Sequence, residues 1–123
     1  MIERKVYNMN ILKKSGALTM AEMYRLTKSP EIAKLSTVKG QELEIERYLV
    51  HEDADQNGEA VTVAAFETTQ GELFATNSKT FTRDFLDIIA MCEEANAPLP
   101  KKIKVLEKVG KTGRAYIQCA YIE

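Results

Sequence analysis

The chain has 123 residues, of which 45% are hydrophobic and 28% charged, with 17 Lys and Arg against 18 Asp and Glu. This is the composition of a globular protein rather than a disordered one, and the length predicts a single domain over residues 1–123. No apolar run approaches the roughly 18 residues of a membrane span, and no secretory leader is recognisable, so we expect no membrane association and a cytoplasmic location.

Charge is unevenly distributed along the chain. Residues 1–50 carry nine cations and six acids, residues 51–100 carry two and ten, and residues 101–123 carry six and two, which gives +3, −8 and +4. The last segment is therefore locally basic although the whole chain is nearly neutral. A local basic surface is compatible with binding to a nucleic-acid backbone, and equally with a solvated basic face.

Short helices are predicted for the first part of the chain. Thr19 and Glu22 have the spacing of a capping box, which predicts a helix over about residues 20–28. Ser29-Pro30-Glu31 has the pattern of a second helix start, with Ile32 and Leu35 facing inward. We therefore expect residues 1–39 to form an N-terminal helical extension.

After Gly40 the hydrophobic period changes from that of a helix to that of a strand. Alternation and turn signals, of which Asn57-Gly58 is the strongest, predict strands near residues 43–50, 61–66 and 73–76, a helix over 80–95, and strands near 102–105 and 115–122. This β-β-β-α-β-β order is that of an OB-fold, a five-stranded barrel, and other small α+β folds share it. The expected class is mainly β with α additions, with an OB-fold barrel over residues 40–123.

Catalytic and metal-binding patterns are not recognisable in the sequence. His51 is the single histidine, and we expect it at an exposed strand end. Cys92 and Cys119 lack metal-type spacing, and the calcium-loop-like run from Asp53 to Gly58 has Ala64 where that loop needs a bidentate Glu. We therefore expect no metal, no cofactor and no enzymatic activity.

The C-terminal hairpin carries the residues that point to a binding function. One hairpin about the Gly110–Gly113 turn would carry the strand residues Lys102 and Lys104, the loop residues Lys108, Lys111 and Arg114, and Tyr116. Alternation predicts that Arg114, Tyr116 and Gln118 share a face opposite Ile117 and Cys119. Cations that follow a phosphate chain, next to an aromatic ring that stacks on a base, are what binding of single-stranded nucleic acid requires. The alternative is a cationic hairpin that protects a sheet edge.

The chain also resembles a known family. Its segments Val61-Thr62-Val63, Gly71–Phe81, Asp84–Ile89 and Lys111–Ile117 resemble the single-stranded DNA-binding proteins of small tailed bacteriophages, and the likeness covers residues 60–123. The pieces Leu18–Lys28 and Ser29–Leu35 resemble the N-terminal parts of related phage proteins.

The resemblance implies an OB-fold that coats single-stranded DNA in the host cytoplasm during phage replication or recombination, without sequence preference. It implies phosphate contacts at Lys104, Lys108, Lys111 and Arg114 and base stacking at Tyr116. It leaves open whether Asn77, Ser78 and Lys79 contact DNA or cap the helix. It also leaves open whether the chain binds single-stranded RNA or forms a homo-oligomer. The alternative function is an OB-like protein–protein interaction module without nucleic-acid binding, with residues 51–100 as its contact surface.

Overall fold

The structure, a computed structural model, describes residues 10–122, and the chain in that range is mainly β. Its strands are β1 (Asn10–Lys14), β2 (Ala33–Lys34), β3 (Glu42–Ala54), β4 (Ala60–Thr68), β5 (Leu73–Thr76), β6 (Lys102–Val109) and β7 (Ala115–Ile122). Its α-helices are α1 (Met20–Lys28) and α2 (Lys79–Glu94), and one turn of 3-10 helix spans Leu35–Val38. From β3 onward the order is three strands, a helix and two strands, as the sequence predicts.

The strands form one curled, half-barrel sheet in the order β2-β5-β4-β3-β6-β7, and β1 also pairs with β3. Strand β3 is the centre of this sheet because different parts of it pair with different neighbours. Glu42–Glu44 pair with β6, whereas Ile45–Ala54 pair with β4 and Leu49–Glu52 also pair with β1. A register shift between Ile45 and Arg47 falls where β3 passes from one partner to the other.

The hairpins β3–β4 and β6–β7 have the same kind of turn. In each, a glycine N–H donates to the carbonyl oxygen three residues earlier: Gly58 to Asp55 and Gly113 to Gly110, both at 2.9 Å. Gly58 and Gly113 have φ of 80° and 83°, the left-handed conformation that a three-residue hairpin loop requires at this position. The hairpin predicted at Asn57-Gly58 is confirmed, and the turn spans one residue more than a two-residue Asn-Gly loop.

Aromatic rings fill the concave side of the sheet. Phe66, Phe81 and Phe85 are completely buried, with ring centroids 5.8 to 6.4 Å apart. Tyr48 meets Phe85 edge-on at 5.5 Å, and Phe74 is also buried. Since these rings belong to the core, the exposed aromatic side chains among residues 10–122 are Tyr24, Tyr116 and Tyr121.

The convex side of the sheet is covered in part by α1. Thr19 and Glu22 form the predicted capping box, and Leu26 packs on Leu49, Ala65 and Leu73. Glu67 of β4 holds the helix in place, because its two oxygens accept hydrogen bonds from Arg25 of α1 at 3.1 Å and from Arg47 of β3 at 2.6 Å.

The second predicted N-terminal helix is wrong. Ser29 has extended backbone, and Ala33 and Lys34 form β2, parallel to β5, before the 3-10 turn. The free edge of β5 supplies hydrogen-bond partners to this segment, and Leu35 is completely buried in the core. These tertiary contacts outweigh the local signal of Pro30, and with β1 and β2 present the segment before residue 40 is not purely helical. Residues 1–9 of the predicted helical extension lie outside the described range.

No helix in the described part of the chain is long and apolar enough to cross a membrane.

Candidate nucleic-acid interface

The end of the β6–β7 hairpin extends beyond the core of the sheet. Ile103, Val105, Ile117 and Cys119 are buried where the hairpin packs on the core, whereas residues 107–116 are exposed except for half-buried Gly110. We call residues 107–116 the arm. Both faces of its two strands are therefore accessible.

Strand register places the predicted side chains on one face of this hairpin. Lys108 lies directly across from Tyr116, and Lys104 lies across from Ala120. Because side chains alternate along a strand, Gln118 shares this face with Tyr116, and the buried Ile117 and Cys119 point the opposite way. Burial raises the pKa of the Cys119 thiol to about 12, which is consistent with its position on the core side.

The turn of the arm presents the remaining two cations. The Gly110 N–H donates to the Arg114 carbonyl oxygen at 2.9 Å, and Lys111 and Arg114 are both exposed. The Tyr116 ring, 37% exposed, lies beside Gly110, where an added β-carbon would be 3.8 Å from Cε1 of the ring. The ring therefore lies at the surface next to the turn.

The cations of the arm differ from those at its base in their electrostatic partners. None of the ion pairs among residues 10–122 includes Lys108, Lys111 or Arg114. Near the base, Lys39 pairs with Glu107 at 2.9 Å and Lys102 pairs with Glu42 at 3.8 Å. Lys104, which lies across from Glu42 in the sheet, is half-buried. Within the hairpin, the exposed cations without an ion-pair partner among residues 10–122 therefore lie in the arm, whereas Lys104 is half-buried and less available than the sequence predicts.

Asn77 and Lys79 lie next to the hairpin because side chains at the start of α2 form hydrogen bonds with β7. Ser78 is the N-cap of α2 and accepts a hydrogen bond from the Phe81 N–H, so capping belongs to Ser78 and leaves Asn77 and Lys79 exposed. The Thr80 hydroxyl donates to the Ile117 carbonyl oxygen at 2.8 Å, and the Ser78 hydroxyl lies 3.4 Å from the same oxygen. These contacts join the start of α2 to the edge of β7, next to Tyr116 and Gln118.

Arg83 belongs to the same region and was missed by sequence reasoning. Together with Asn77 and Lys79, it lines a groove of about 360 Å³ between α2 and the beginning of β4. A signal was present: Lys79 and Arg83 are the two cations of the acidic segment 51–100, and they are four residues apart, which places them on one helix face.

His51 lies within the sheet, and Asp55 lies in the β3–β4 turn. His51, expected at an exposed strand end, is instead 3% exposed between Ile11 of β1 and Val63 of β4, and burial lowers its pKa. The Asp55 carboxylate accepts hydrogen bonds from the backbone N–H groups of Asn57 and Glu59 and so stabilises a turn. In the described part of the chain no group of three or more His, Cys, Asp or Glu is placed to hold a metal.

Comparison of the chain with protein-family models, curated proteins and solved structures finds no match. What the interface can bind follows from its own chemistry. It combines an accessible ring with cations that have no ion-pair partner in the described part of the chain, on a narrow, two-stranded arm. This arrangement can stack on one planar group while it neutralises neighbouring anionic groups.

Proposed function

We propose that this chain is a non-enzymatic, single-stranded DNA-binding protein of the small tailed-phage type, which coats DNA without sequence preference. One observation carries the proposal: exposed Tyr116 lies across from Lys108 on an arm whose other cations, Lys111 and Arg114, also have no ion-pair partner among residues 10–122.

The chemistry of this arrangement favours unpaired nucleotides. A base in a duplex is already stacked on both sides, whereas an unpaired base has a free face for the Tyr116 ring. Each stacked base contributes roughly 1–3 kcal/mol, and each neutralised phosphate of a single strand contributes about −0.7 to the slope of log affinity against log salt. Neither interaction reads the identity of the base, which agrees with binding that lacks sequence preference.

The strand order supports an OB-fold for residues 40–123. Strands β3, β4, β5, β6 and β7 would be its five strands in chain order, with α2 between the third and the fourth. OB-folds bind nucleic acid on the face of their second and third strands and on the loops beside it, including the loop between the fourth and fifth strands. Because α1 covers Ala65 and Leu73 on the equivalent face here, we assign binding chiefly to that last loop, which is the arm.

Single residues have distinct roles in this proposal. Tyr116 stacks on a base, and Lys108, Lys111 and Arg114 neutralise phosphates. Gln118, half-buried at the base of the arm, would form a hydrogen bond with the DNA strand next to the nucleotide that stacks on Tyr116. With this function the protein would act in the host cytoplasm during phage DNA replication or recombination.

Fluorescence anisotropy with labelled oligo(dT), oligo(U) and a duplex of equal length tests the proposal. We expect tight binding to oligo(dT) and much weaker binding to the duplex, and the result with oligo(U) shows whether RNA is also bound. Absence of affinity for all three, together with recovery of a stoichiometric protein partner, would instead support the protein-interaction module.

A further inference from the structure

A second charged region lies outside the arm, in the groove between α2 and β4. Two cations, Lys79 and Arg83, line one side of the groove, and Asn77 contributes an amide. The remaining surface is both apolar and hydroxyl-bearing, with Val61, Thr62 and Leu86 among its lining residues. At about 360 Å³ the groove is within the size range of small-ligand sites.

The two cations of the groove are available to a ligand. Lys79 and Arg83 are both exposed, and neither belongs to an ion pair within residues 10–122, although ten acids surround them in sequence between residues 51 and 100. Their spacing of four residues places both on the same face of α2. A ligand with two or more neighbouring anionic groups would therefore meet both cations at once.

The start of α2 connects the groove to β7, the strand that carries Tyr116. Ser78 and Thr80, which flank Lys79, both reach the carbonyl oxygen of Ile117 on β7. Ile117 is the residue between Tyr116 and Gln118. A DNA strand that crosses the edge of β7 from Tyr116 would therefore meet Asn77 and Lys79, which line the groove.

We propose that the groove binds the phosphodiester backbone of the same DNA strand that the arm grips, as a second contact region. This inference rests on the proposed function. It adds two neutralised phosphates to the three assigned to the arm. The expected salt slopes are therefore about −2 for an oligonucleotide that reaches only the arm and about −3.5 for one that reaches both regions.

The test compares two oligo(dT) lengths, about 5 and about 16 nucleotides, which lie near the two ends of the range of OB-fold site sizes. Lys79→Gln with Arg83→Gln should weaken binding of the longer strand by roughly 5- to 30-fold at about 0.1 M salt and reduce its salt slope by about 1.4. Binding of the shorter strand should change less than twofold. The matched control is Lys14→Gln with Lys28→Gln, which removes two exposed cations elsewhere and should leave both lengths unaffected.

Two results would overturn the inference: equal affinities of the groove variant and the wild type for the longer strand, or equal losses at both lengths. Circular dichroism confirms that the variant is folded, and Arg83→Lys on its own should keep most of the affinity because it retains the charge. If the wild-type protein binds neither oligonucleotide, the proposed function itself fails, and that result differs from both of these.

Discussion

Tyr116 of β7 and Lys108 of β6 are directly opposed residues on the same face of a two-stranded arm, and both are exposed. Opposed side chains in an antiparallel pair have β-carbons about 5 Å apart. A nucleotide whose base stacks on the Tyr116 ring therefore places its own phosphate, or a neighbouring one, within reach of the Lys108 ammonium.

Replacing the ring should reduce affinity without changing its salt dependence. We expect Tyr116→Ala to weaken oligo(dT) binding by about 1–3 kcal/mol, or roughly 5- to 150-fold in Kd, because a stacking contact is lost while every cation remains. Tyr116→Phe should retain most of the affinity. Fluorescence anisotropy over a salt series measures both quantities.

The control for this variant is Tyr24→Ala. Tyr24 is 60% exposed on α1, away from the arm, so its removal should leave oligo(dT) affinity unchanged. If Tyr24→Ala and Tyr116→Ala cost the same affinity, the ring of the arm is not the stacking platform.

Removing cations from the turn should change the salt dependence of binding, unlike removal of the Tyr116 ring. Each of Lys111→Gln and Arg114→Gln should make the salt slope less negative by about 0.7, since one fewer phosphate is neutralised. Lys14→Gln, an exposed cation on β1, serves as the control and should leave the slope unchanged. If the salt slope of these variants equals that of the wild type, Lys111 and Arg114 do not neutralise phosphates.

The arm could be predicted from sequence because its determinants are local. Alternation of Ile103 and Val105 with lysines, and of Ile117 and Cys119 with polar residues, determines which side chains face the core. Glycine at position 113 suits the left-handed conformation of the turn. These patterns predict Arg114, Tyr116 and Gln118 on one face. The position of Lys108 opposite Tyr116 was not predicted, because the sequence assigned Lys108 to the loop whereas β6 continues to Val109.

The features that sequence reasoning missed depend on distant contacts. Residues 33–34 become a strand because β5 has a free edge, and His51 becomes buried because β1 covers β3. The groove at Arg83 exists because α2 begins beside β4 and β7. The spacing of Lys79 and Arg83 predicts that they share a helix face, but no local pattern predicts which strands that face meets, because the sheet topology determines this.

Glu67 should contribute measurably to stability because it is buried and holds two arginines. Its hydrogen bond raises the pKa of Arg47, and Arg25 connects the same carboxylate to α1. We expect Glu67→Gln to lower the free energy of unfolding by about 1–3 kcal/mol, measured by urea denaturation. The exposed pair Lys13–Glu93 provides the comparison, and Glu93→Gln should cost less than about 1 kcal/mol. Equal costs would show that the Glu67 cluster is merely a surface ion pair.

Stability should decrease in mild acid because His51 is buried in its neutral form. Burial lowers its pKa in the folded state, Lys28 adds to this effect, and Asp53 and the Glu52 carbonyl oppose it. The unfolded chain, with an ordinary histidine pKa of about 6.5, then binds a proton at higher pH than the folded chain does. The contribution of neutral His51 to the free energy of unfolding is fully present above a pH of about 6.5 and is lost as the pH falls below that value.

Urea denaturation at pH values of about 7.5 and 5.5 measures this effect, since histidine titrates in that interval. His51→Gln should reduce the difference in unfolding free energy between the two pH values, whatever its effect on stability at neutral pH. An unchanged difference in the variant would assign the pH dependence to other groups.

Photocross-linking tests the central claim most directly. An oligo(dT) that carries a single 5-iododeoxyuridine is irradiated in complex with the wild-type protein. Tandem mass spectrometry of the digested complex then locates the linked residue. The cross-link should map to Tyr116, and unlabelled oligo(dT) should compete it away. A cross-link at Tyr24 or Tyr121, with Tyr116 unmodified in a saturated complex, would contradict the assignment of the arm as the DNA-binding element.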